Sequence, residues 1–175
     1  MPSVGVRLLA EAWLVQALAK THRRENFNCS DQALSEYLHR FVSQDSRRSL
    51  TRAFVLVKEA DPTVQGCYTL SASNIEREKF PTEQAKKLPR YPIPAVLLGR
   101  LAIANKLQGE GLGEYLLIDA LKRVSMASAT IGVYAVMVDA SSDRAAECYR
   151  SFGFIALAGQ PRSLFLPMET IAQIP

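Results

Sequence analysis

Three glycines at alternate positions, Gly109, Gly111 and Gly113, fall in the stretch Gln108-Gly109-Glu110-Gly111-Leu112-Gly113. An apolar run from Ala95 to Ala104 precedes them, and an amphipathic run from Leu112 to Met126 follows. Strand, glycine turn and helix in that order gather the free backbone N–H groups of a helix start. Such a start carries partial positive charge and suits phosphate oxygens. Glycines lack Cβ atoms, so a ligand can approach the main chain closely. A plain strand-to-helix turn with no ligand can hold the same glycines. Spacing narrows the choice. A dinucleotide turn reads G-x-G-x-x-G, and a P-loop needs Gly-Lys-Ser or Gly-Lys-Thr. Here the pattern is Gln108-x-x-Gly111-x-Gly113.

Other catalytic chemistries find little support. Cys29, Cys67 and Cys148 are odd in number and widely spaced, which argues against a disulfide framework. His22 and His39 are the only histidines, and no C-x-x-C pair accompanies them, so no metal site is expected. Neither histidine sits in a nucleophile motif. Cys148 is a poor nucleophile candidate, with no histidine placed by motif to activate it.

The chain has 175 residues, nearly half of them apolar, which suits a domain with a substantial core. No apolar run is long enough to span a bilayer, and the start lacks the pattern of a secretory signal. A cytoplasmic protein without a membrane partner is expected. The net charge of +4 is uneven. Residues 1–106 hold 16 Lys and Arg against 10 Asp and Glu, whereas residues 107–175 hold 5 against 7. The basic excess therefore precedes the glycine turn. Any one basic cluster reads as solvated surface; together they fit an anionic partner.

The elements that must position these groups follow from pattern. Trp13 to Ala19 reads as a first strand. Ser30 or Asp31 caps a helix to about Val42, with Leu34, Tyr37, Leu38 and Phe41 on one face and His39 on the outer one. Arg52 to Glu59 and Gln65 to Ala72 form a hairpin about Asp61-Pro62. Ser73 to Pro94 is aperiodic, with one helical turn from Glu83 to Lys87, and long loops in small domains are often functional. Ala95 to Ala104 is a central buried strand. Leu112, Leu116, Leu117, Ala120, Leu121 and Val124 repeat at helical spacing. Gly132 to Ala140 is a further strand. Ser142 or Asp143 caps a helix over Arg144 to Phe152, which Gly153 ends. Phe154 to Ala158 and Ser163 to Leu166 close the sheet. The fold class is α/β (α+β), antiparallel strands followed by a strand-helix-strand-helix-strand unit.

Two of these motifs, read together, resemble the GNAT family of acetyl-CoA-dependent N-acetyltransferases. The first is Gln108 to Gly113, which matches the (Gln or Arg)-x-x-Gly-x-(Gly or Ala) pyrophosphate loop. The second runs from the strand Val133 to Ala140 through Ser141-Ser142-Asp143 to Tyr149 and Gly153-Phe154. A narrower likeness lies upstream. His22 to Cys29, Ala33 to Leu38, Gly66 to Leu70 and Ile93 to Ile103 resemble GNAT-type toxins of bacterial type II toxin–antitoxin pairs. The likeness covers about Val15 to Pro167. It implies a single GNAT domain over 15–175 behind a possible N-terminal extension, 1–14. The implied GNAT fold is a mixed, mostly antiparallel twisted sheet of six to seven strands flanked by helices.

The resemblance also implies the chemistry. Acetyl-CoA is the cosubstrate, with its diphosphate on Gln108, Gly109, Glu110, Gly111, Leu112 and Gly113. Glu110 and Glu114 must then point away, because their charge repels phosphate. A main-chain N–H among Leu101, Ala102 and Ile103 faces the thioester carbonyl. Tyr149 donates its phenol proton to the departing sulfur; the alternative is a packed aromatic. Ser142 stands where the family often has an Asn that contacts the pantetheine arm, and a hydroxyl makes fewer contacts than an amide. The implied acceptor is the α-amino group of aminoacyl-tRNA, and its modification blocks translation. Arg23, Arg24, Lys79, Lys86, Lys87 and Arg90 are the candidate tRNA phosphate contacts. A ribbon-helix-helix antitoxin and a homodimer complete the expectation. An α-amine has a pKa near ~8 against about 10.4 for lysine, so it needs little help from a base, and no Glu or His base is evident. The alternatives are a GNAT enzyme acting on a protein N-terminus, a lysine or a small amine, and a non-catalytic binding module.

Overall fold

The structure is a computed structural model that describes residues 12–175. The extension expected over Met1 to Leu14 lies, through residue 11, outside the described residues. Among these, seven strands form one sheet: β1 (Trp13–Ala17), β2 (Arg52–Lys58), β3 (Asp61–Ile75), β4 (Ile93–Ile103), β5 (Ala135–Asp139), β6 (Ile155–Leu157) and β7 (Gln160–Pro167). Their order is β1-β2-β3-β4-β5-β7-β6. The helices are α1 (Gln32–Arg40), α2 (Val42–Arg47), α3 (Thr82–Ala85), α4 (Leu112–Ala127), α5 (Asp143–Ser151) and α6 (Met168–Ile171). The expected mixed sheet flanked by helices is therefore present. β1 with β2, β2 with β3, β5 with β7 and β6 with β7 are antiparallel, and β4 with β5 is parallel. The chain divides into two compact units: residues up to Leu70 with Arg100–Ala120, and Ser71–Gly99 with Leu121–Pro175.

In the first unit, Asp31 caps α1, its carboxylate accepting the N–H groups of Ala33 (2.9 Å) and Leu34 (3.3 Å). Leu38 is buried, but Phe41 is turned outward, 45 % exposed. The helix stops at Arg40, and Phe41 becomes the entry to α2, which has no clear signal in the sequence. The β2–β3 turn also falls earlier than expected, at Glu59-Ala60, with Lys58 paired to Asp61. Two-residue hairpin turns require positive φ, and Ala60 supplies it at 63° without glycine. Asp61 opens β3 instead, its carboxylate accepting the Thr63 N–H at 3.0 Å. Phe27, Leu38, Val42, Val55, Val57, Val64 and Ala102 belong to this unit's core.

Tyr68 of β3 is fully buried; its hydroxyl donates to Asp119 on α4, and its ring stacks on Phe54 at 5.2 Å. Removing the hydroxyl takes a charge-assisted partner from a half-buried carboxylate. Tyr68→Phe is expected to cost about 1–3 kcal/mol in a urea unfolding titration. A loss within error would show that Asp119 is satisfied without the phenol.

In the second unit, the aperiodic segment after Ser73 is not an open loop. β3 continues to Ile75, a 3-10 turn covers Arg77–Lys79, and α3 follows. Phe80 is the reason. It is buried, with its ring 4.9 Å from Phe165 and 5.8 Å from Tyr134 in edge-on contacts. Arg77 Nε donates to the Ala85 carbonyl at 2.7 Å, and the Lys79 carbonyl accepts from Ala158 N–H at 2.8 Å. Each piece is too short to show a period, so the pattern reading missed them. Ile75, Ile93, Ala95, Ala135 and Leu157 complete this core.

Candidate active site

β4 is the element that leads into the glycine turn. It is regular as far as Gly99 and then kinks, for Arg100 takes φ 51°. A left-handed non-glycine residue inside a strand stores strain and tends to mark a functional position. The Arg100 guanidinium lies 3.8 Å from the centroid of the Tyr37 ring, a cation–π contact. Tyr37 in turn donates to Asp45 at 2.8 Å. Arg100 therefore rests on an aromatic face. β5 pairs with β4 only at Ala95, Val96 and Leu97, short of the kink, although it pairs with β7 along its full length. Leu101, Ala102 and Ile103 form the stretch just past the kink, half-buried to buried.

A 3-10 turn at Asn105–Leu107 then leads to the glycine stretch. Gly109 and Gly111 both have φ 82°. Both residues depend on lacking Cβ to hold that conformation. Nothing lies within 4 Å of where a Cβ would stand at Gly109 or Gly113, so the approach to this main chain is open. α4 begins at Leu112, which is buried with Leu116 and Leu117 and fixes the helix start. Gln108 braces the turn. Its Nε2 donates to Ser30 Oγ at 2.9 Å and reaches Asn105 Oδ1 at 3.3 Å and the Ile103 carbonyl at 3.4 Å. Ser30 and Asn105 hold the Gln108 side chain, a role that the sequence reading missed. The only signal was that Asp31, one residue on, is the better cap and leaves Ser30 free. Glu110 is half-buried and Glu114 exposed.

Tyr149 lies in the last turn of α5, in the second unit. Ser142 is the N-cap, its oxygen accepting the Ala145 N–H at 3.1 Å. That acceptor role occupies one lone pair and leaves the hydroxyl proton for another partner. The far end closes in a Schellman arrangement. Phe154 N–H bonds to the Tyr149 carbonyl at 3.2 Å and Gly153 N–H to the Arg150 carbonyl at 2.9 Å, with Gly153 at φ 98°. The apolar contact that accompanies such an ending is here Phe154 against Tyr149, edge-on at 5.3 Å. The run Tyr149 to Phe154 is therefore a helix stop that locks the tyrosine in place. Among the described residues, the Tyr149 hydroxyl has no hydrogen-bond partner. Burial, and then the neighbouring Cys148, push its pKa up to about 12. The phenol keeps its proton throughout the physiological range.

The remaining candidates are accounted for by structure. Cys148 is exposed, whereas Cys29 and Cys67 are buried, and burial raises the Cys67 thiol to about 12. His22 accepts the Ala19 N–H at 2.9 Å and pairs with Gln16 at 2.9 Å, and His39 bonds the Phe27 carbonyl at 2.8 Å. Both histidines serve local structure. No cluster of His, Cys, Asp or Glu suited to a metal occurs among the described residues, and no described helix is long and apolar enough to cross a membrane. Arg23 and Arg24 lie in the first unit, with Arg24 donating to the Leu38 carbonyl at 3.2 Å. Lys79, Lys86, Lys87 and Arg90 lie in the second and are exposed. Lys86 Nζ is 3.6 Å from Glu83. Lys87 lines a cavity of about 210 Å³ with Glu83 and Glu169.

Residues 90–170 match the acetyltransferase (GNAT) domain family. The chain is 33 % identical over 144 residues to a tRNA-acetylating toxin of Mycobacterium tuberculosis (strain ATCC 25618 / H37Rv), covering 82 % of this chain and 85 % of the toxin. The chain belongs to the GNAT acetyltransferases, among the tRNA-acetylating toxins. It is an N-acetyltransferase. Two solved structures carry the likeness through the fold. AtaT complexed with acetyl-methionyl-tRNAfMet is 33 % identical with a TM-score of 0.85, covering 91 % of this chain and 97 % of AtaT. A mutant AtaT toxin bound to the C-terminus of the antitoxin AtaR and acetyl-CoA is 31 % identical with a TM-score of 0.77, covering 91 % and 95 %.

Proposed function

We propose that this GNAT enzyme transfers the acetyl group of acetyl-CoA to the α-amino group of aminoacyl-tRNA and so blocks translation. It acts in the cytoplasm as a homodimer and is silenced by a ribbon-helix-helix antitoxin. What supports the substrate is whole-chain likeness to a tRNA-acetylating toxin and to a toxin solved with acetyl-methionyl-tRNA.

The glycine turn fits a coenzyme diphosphate. Gly109 and Gly111 have positive φ, and the space beside Gly109 and Gly113 is open. The main chain from Gln108 to Gly113 would hold the diphosphate, with Gln108 fixing the turn rather than reaching for phosphate. Bound there, acetyl-CoA supplies an activated thioester. The amides of Leu101 to Ile103 stabilise the charge that develops on its carbonyl oxygen. The Ser142 hydroxyl proton offers one further contact. The attacking α-amine has a pKa near ~8, and the ester on the same carbon lowers it further, so the uncharged form is reached near neutrality without a strong base. Proton balance then assigns Tyr149. The amine must lose one proton as the new amide forms, and the sulfur must gain one as it leaves. Tyr149, protonated and without a protein partner for its hydroxyl, donates to the sulfur and is reprotonated from the nitrogen.

The direct test is incubation of the protein with labelled acetyl-CoA and total charged tRNA. Label on the aminoacyl moiety is the expected result. Label on protein amines or small amines instead would replace this substrate with the second reading. A second expectation concerns the basic segment. Charge reversal at both Lys86 and Lys87 should lower tRNA affinity by roughly tenfold and flatten its salt dependence. Affinity for acetyl-CoA should not change. Unaltered tRNA binding would remove these lysines from the interface.

A further inference from the structure

Arg100 combines a strained main chain with an unused side chain. Its φ of 51° lies in the left-handed region, inside β4. Glycine is the cheaper residue at such a position, yet the strand carries an arginine. Contacts within the first unit hold it there. Cys67 Sγ donates to the Arg100 carbonyl at 3.5 Å. The guanidinium lies 3.8 Å from the centroid of the Tyr37 ring, and Tyr37 is fixed in turn by its bond to Asp45. Burial, and then that bond, push the Tyr37 phenol up to about 12, so the ring stays neutral and keeps its hold on Asp45. Arg100 is nonetheless exposed. Among the described residues its guanidinium makes no hydrogen bond and no ion pair. A guanidinium that rests its flat face on an aromatic ring still has N–H groups around its edge. That fork matches the oxygens of a phosphate. Because the side chain is already held, little freedom is lost when a ligand arrives.

We propose that Arg100 positions the acceptor, its guanidinium holding the 5′-phosphate of the terminal adenosine of aminoacyl-tRNA. The inference rests on the proposed acceptor. Leu101, ~3.8 Å farther along the Cα trace, opens the stretch whose amides are assigned to the thioester carbonyl. The Arg100 side chain is therefore anchored beside the place where the amine attacks. In the acceptor, one ribose separates the aminoacyl ester from that phosphate. A cation beside the reacting centre meets this phosphate before any other in the tRNA. The coenzyme also carries phosphates, but its diphosphate is assigned to the turn from Gln108 to Gly113, farther along the chain. A phosphate fixed at one end of the nucleotide orients the amine at the other. The same contact selects among amines, because a protein N-terminus, a lysine or a small amine has no phosphate at this distance.

Two sets of fragments test this. Cutting total charged tRNA with a nuclease that leaves 5′-phosphates frees aminoacyl esters of adenosine 5′-phosphate. A nuclease that leaves 5′-hydroxyls frees the aminoacyl esters of adenosine. The sets carry the same amines and differ by one phosphate. Wild-type kcat/KM for transfer of labelled acetyl should favour the phosphorylated set by roughly tenfold. Arg100→Gly suits the left-handed main chain and should fold. It is expected to bring the phosphorylated set down to the rate of the other, with acetyl-CoA affinity as in wild type. Arg100→Lys keeps the charge without the fork and should recover part of the preference. Tyr37→Leu removes the ring and should diminish it. Equal wild-type rates, a preference that survives in Arg100→Gly, or reaction of whole charged tRNA but of neither set would overturn the assignment and leave the acceptor standing. Weakened acetyl-CoA binding in Arg100→Gly would place the guanidinium on the coenzyme and overturn it too. No label on charged tRNA or on either set would overturn the acceptor itself, and the assignment with it.

Discussion

Tyr149→Phe is expected to slow acetyl transfer by about 10²–10⁴-fold, the usual contribution of a positioned acid, while acetyl-CoA affinity stays within a few-fold of wild type. The substitution removes one oxygen that has no protein partner. It keeps the ring that Phe154 packs against and the Schellman bonds that end α5. Folding should therefore be unaffected. The proton energetics explain why the loss falls on the chemical step. A phenol raised to about 12 holds its proton more tightly than a thiol of pKa near ~8.5. It does not protonate the sulfur in advance; donation accompanies cleavage of the carbon–sulfur bond. Because the pKa is raised, the acid form persists as pH increases. The wild-type rate should climb as the amine deprotonates and show no Tyr149-dependent fall below about pH 11. Single-turnover rates across pH measure both features. A mutant with wild-type turnover, or a falling limb near neutrality that the mutation abolishes, would remove Tyr149 from the acid role.

Gly66→Val is expected to lower stability by about 3 kcal/mol, or a fall in Tm of about 6–12 °C for a chain this size, and to weaken coenzyme binding in the protein that still folds. Gly66 sits in β3 where no side chain fits. A Cβ there would come 2.8 Å from Ile103 Cδ1, 3.0 Å from the Ala102 carbonyl oxygen and 3.2 Å from Leu116 Cδ1. Ile103 and Leu116 can turn aside a little; the carbonyl belongs to the main chain past the β4 kink and cannot. The damage is thus aimed at the amides of Leu101 to Ile103 and at the start of α4 together. Gly113→Ala provides the contrast. Its added methyl meets nothing within 4 Å and stands in a helix, so stability should hold or rise. Coenzyme affinity alone should suffer, because the methyl occupies the open approach to the turn. Thermal unfolding and coenzyme titration of both variants separate the effects. A Gly66→Val protein with unchanged Tm would mean that β3 and β4 are not held as closely as described.

Local signals were read well where one residue type has one physical use. Asp31 and Ser142 cap helices because a short oxygen-bearing side chain meets the N–H groups of a first turn. Gly153 ends α5 because it accepts positive φ. Leu112, Leu116, Leu117, Ala120, Leu121 and Val124 are all buried, as their spacing required. The reading failed where pieces were short or where a residue does something unusual. Ala60 and Arg100 take positive φ with no glycine to announce it. Phe80 pins a segment that has no period because no single element in it is long enough to display one.

From sequence alone came the glycine turn, the tyrosine before the Gly-Phe stop, the strand–helix order and the basic excess ahead of the turn. These are properties of consecutive residues, and their physics is local: φ preference, capping and periodicity. Tertiary structure alone decided that Gln108 is held by Ser30 and Asn105, that Arg100 lies on Tyr37, that Gly66 must be bare, and that the Tyr149 phenol is raised to about 12 without a protein partner. Each of these depends on residues far apart in the chain meeting at distances of a few ångströms, and on the removal of water that such packing brings.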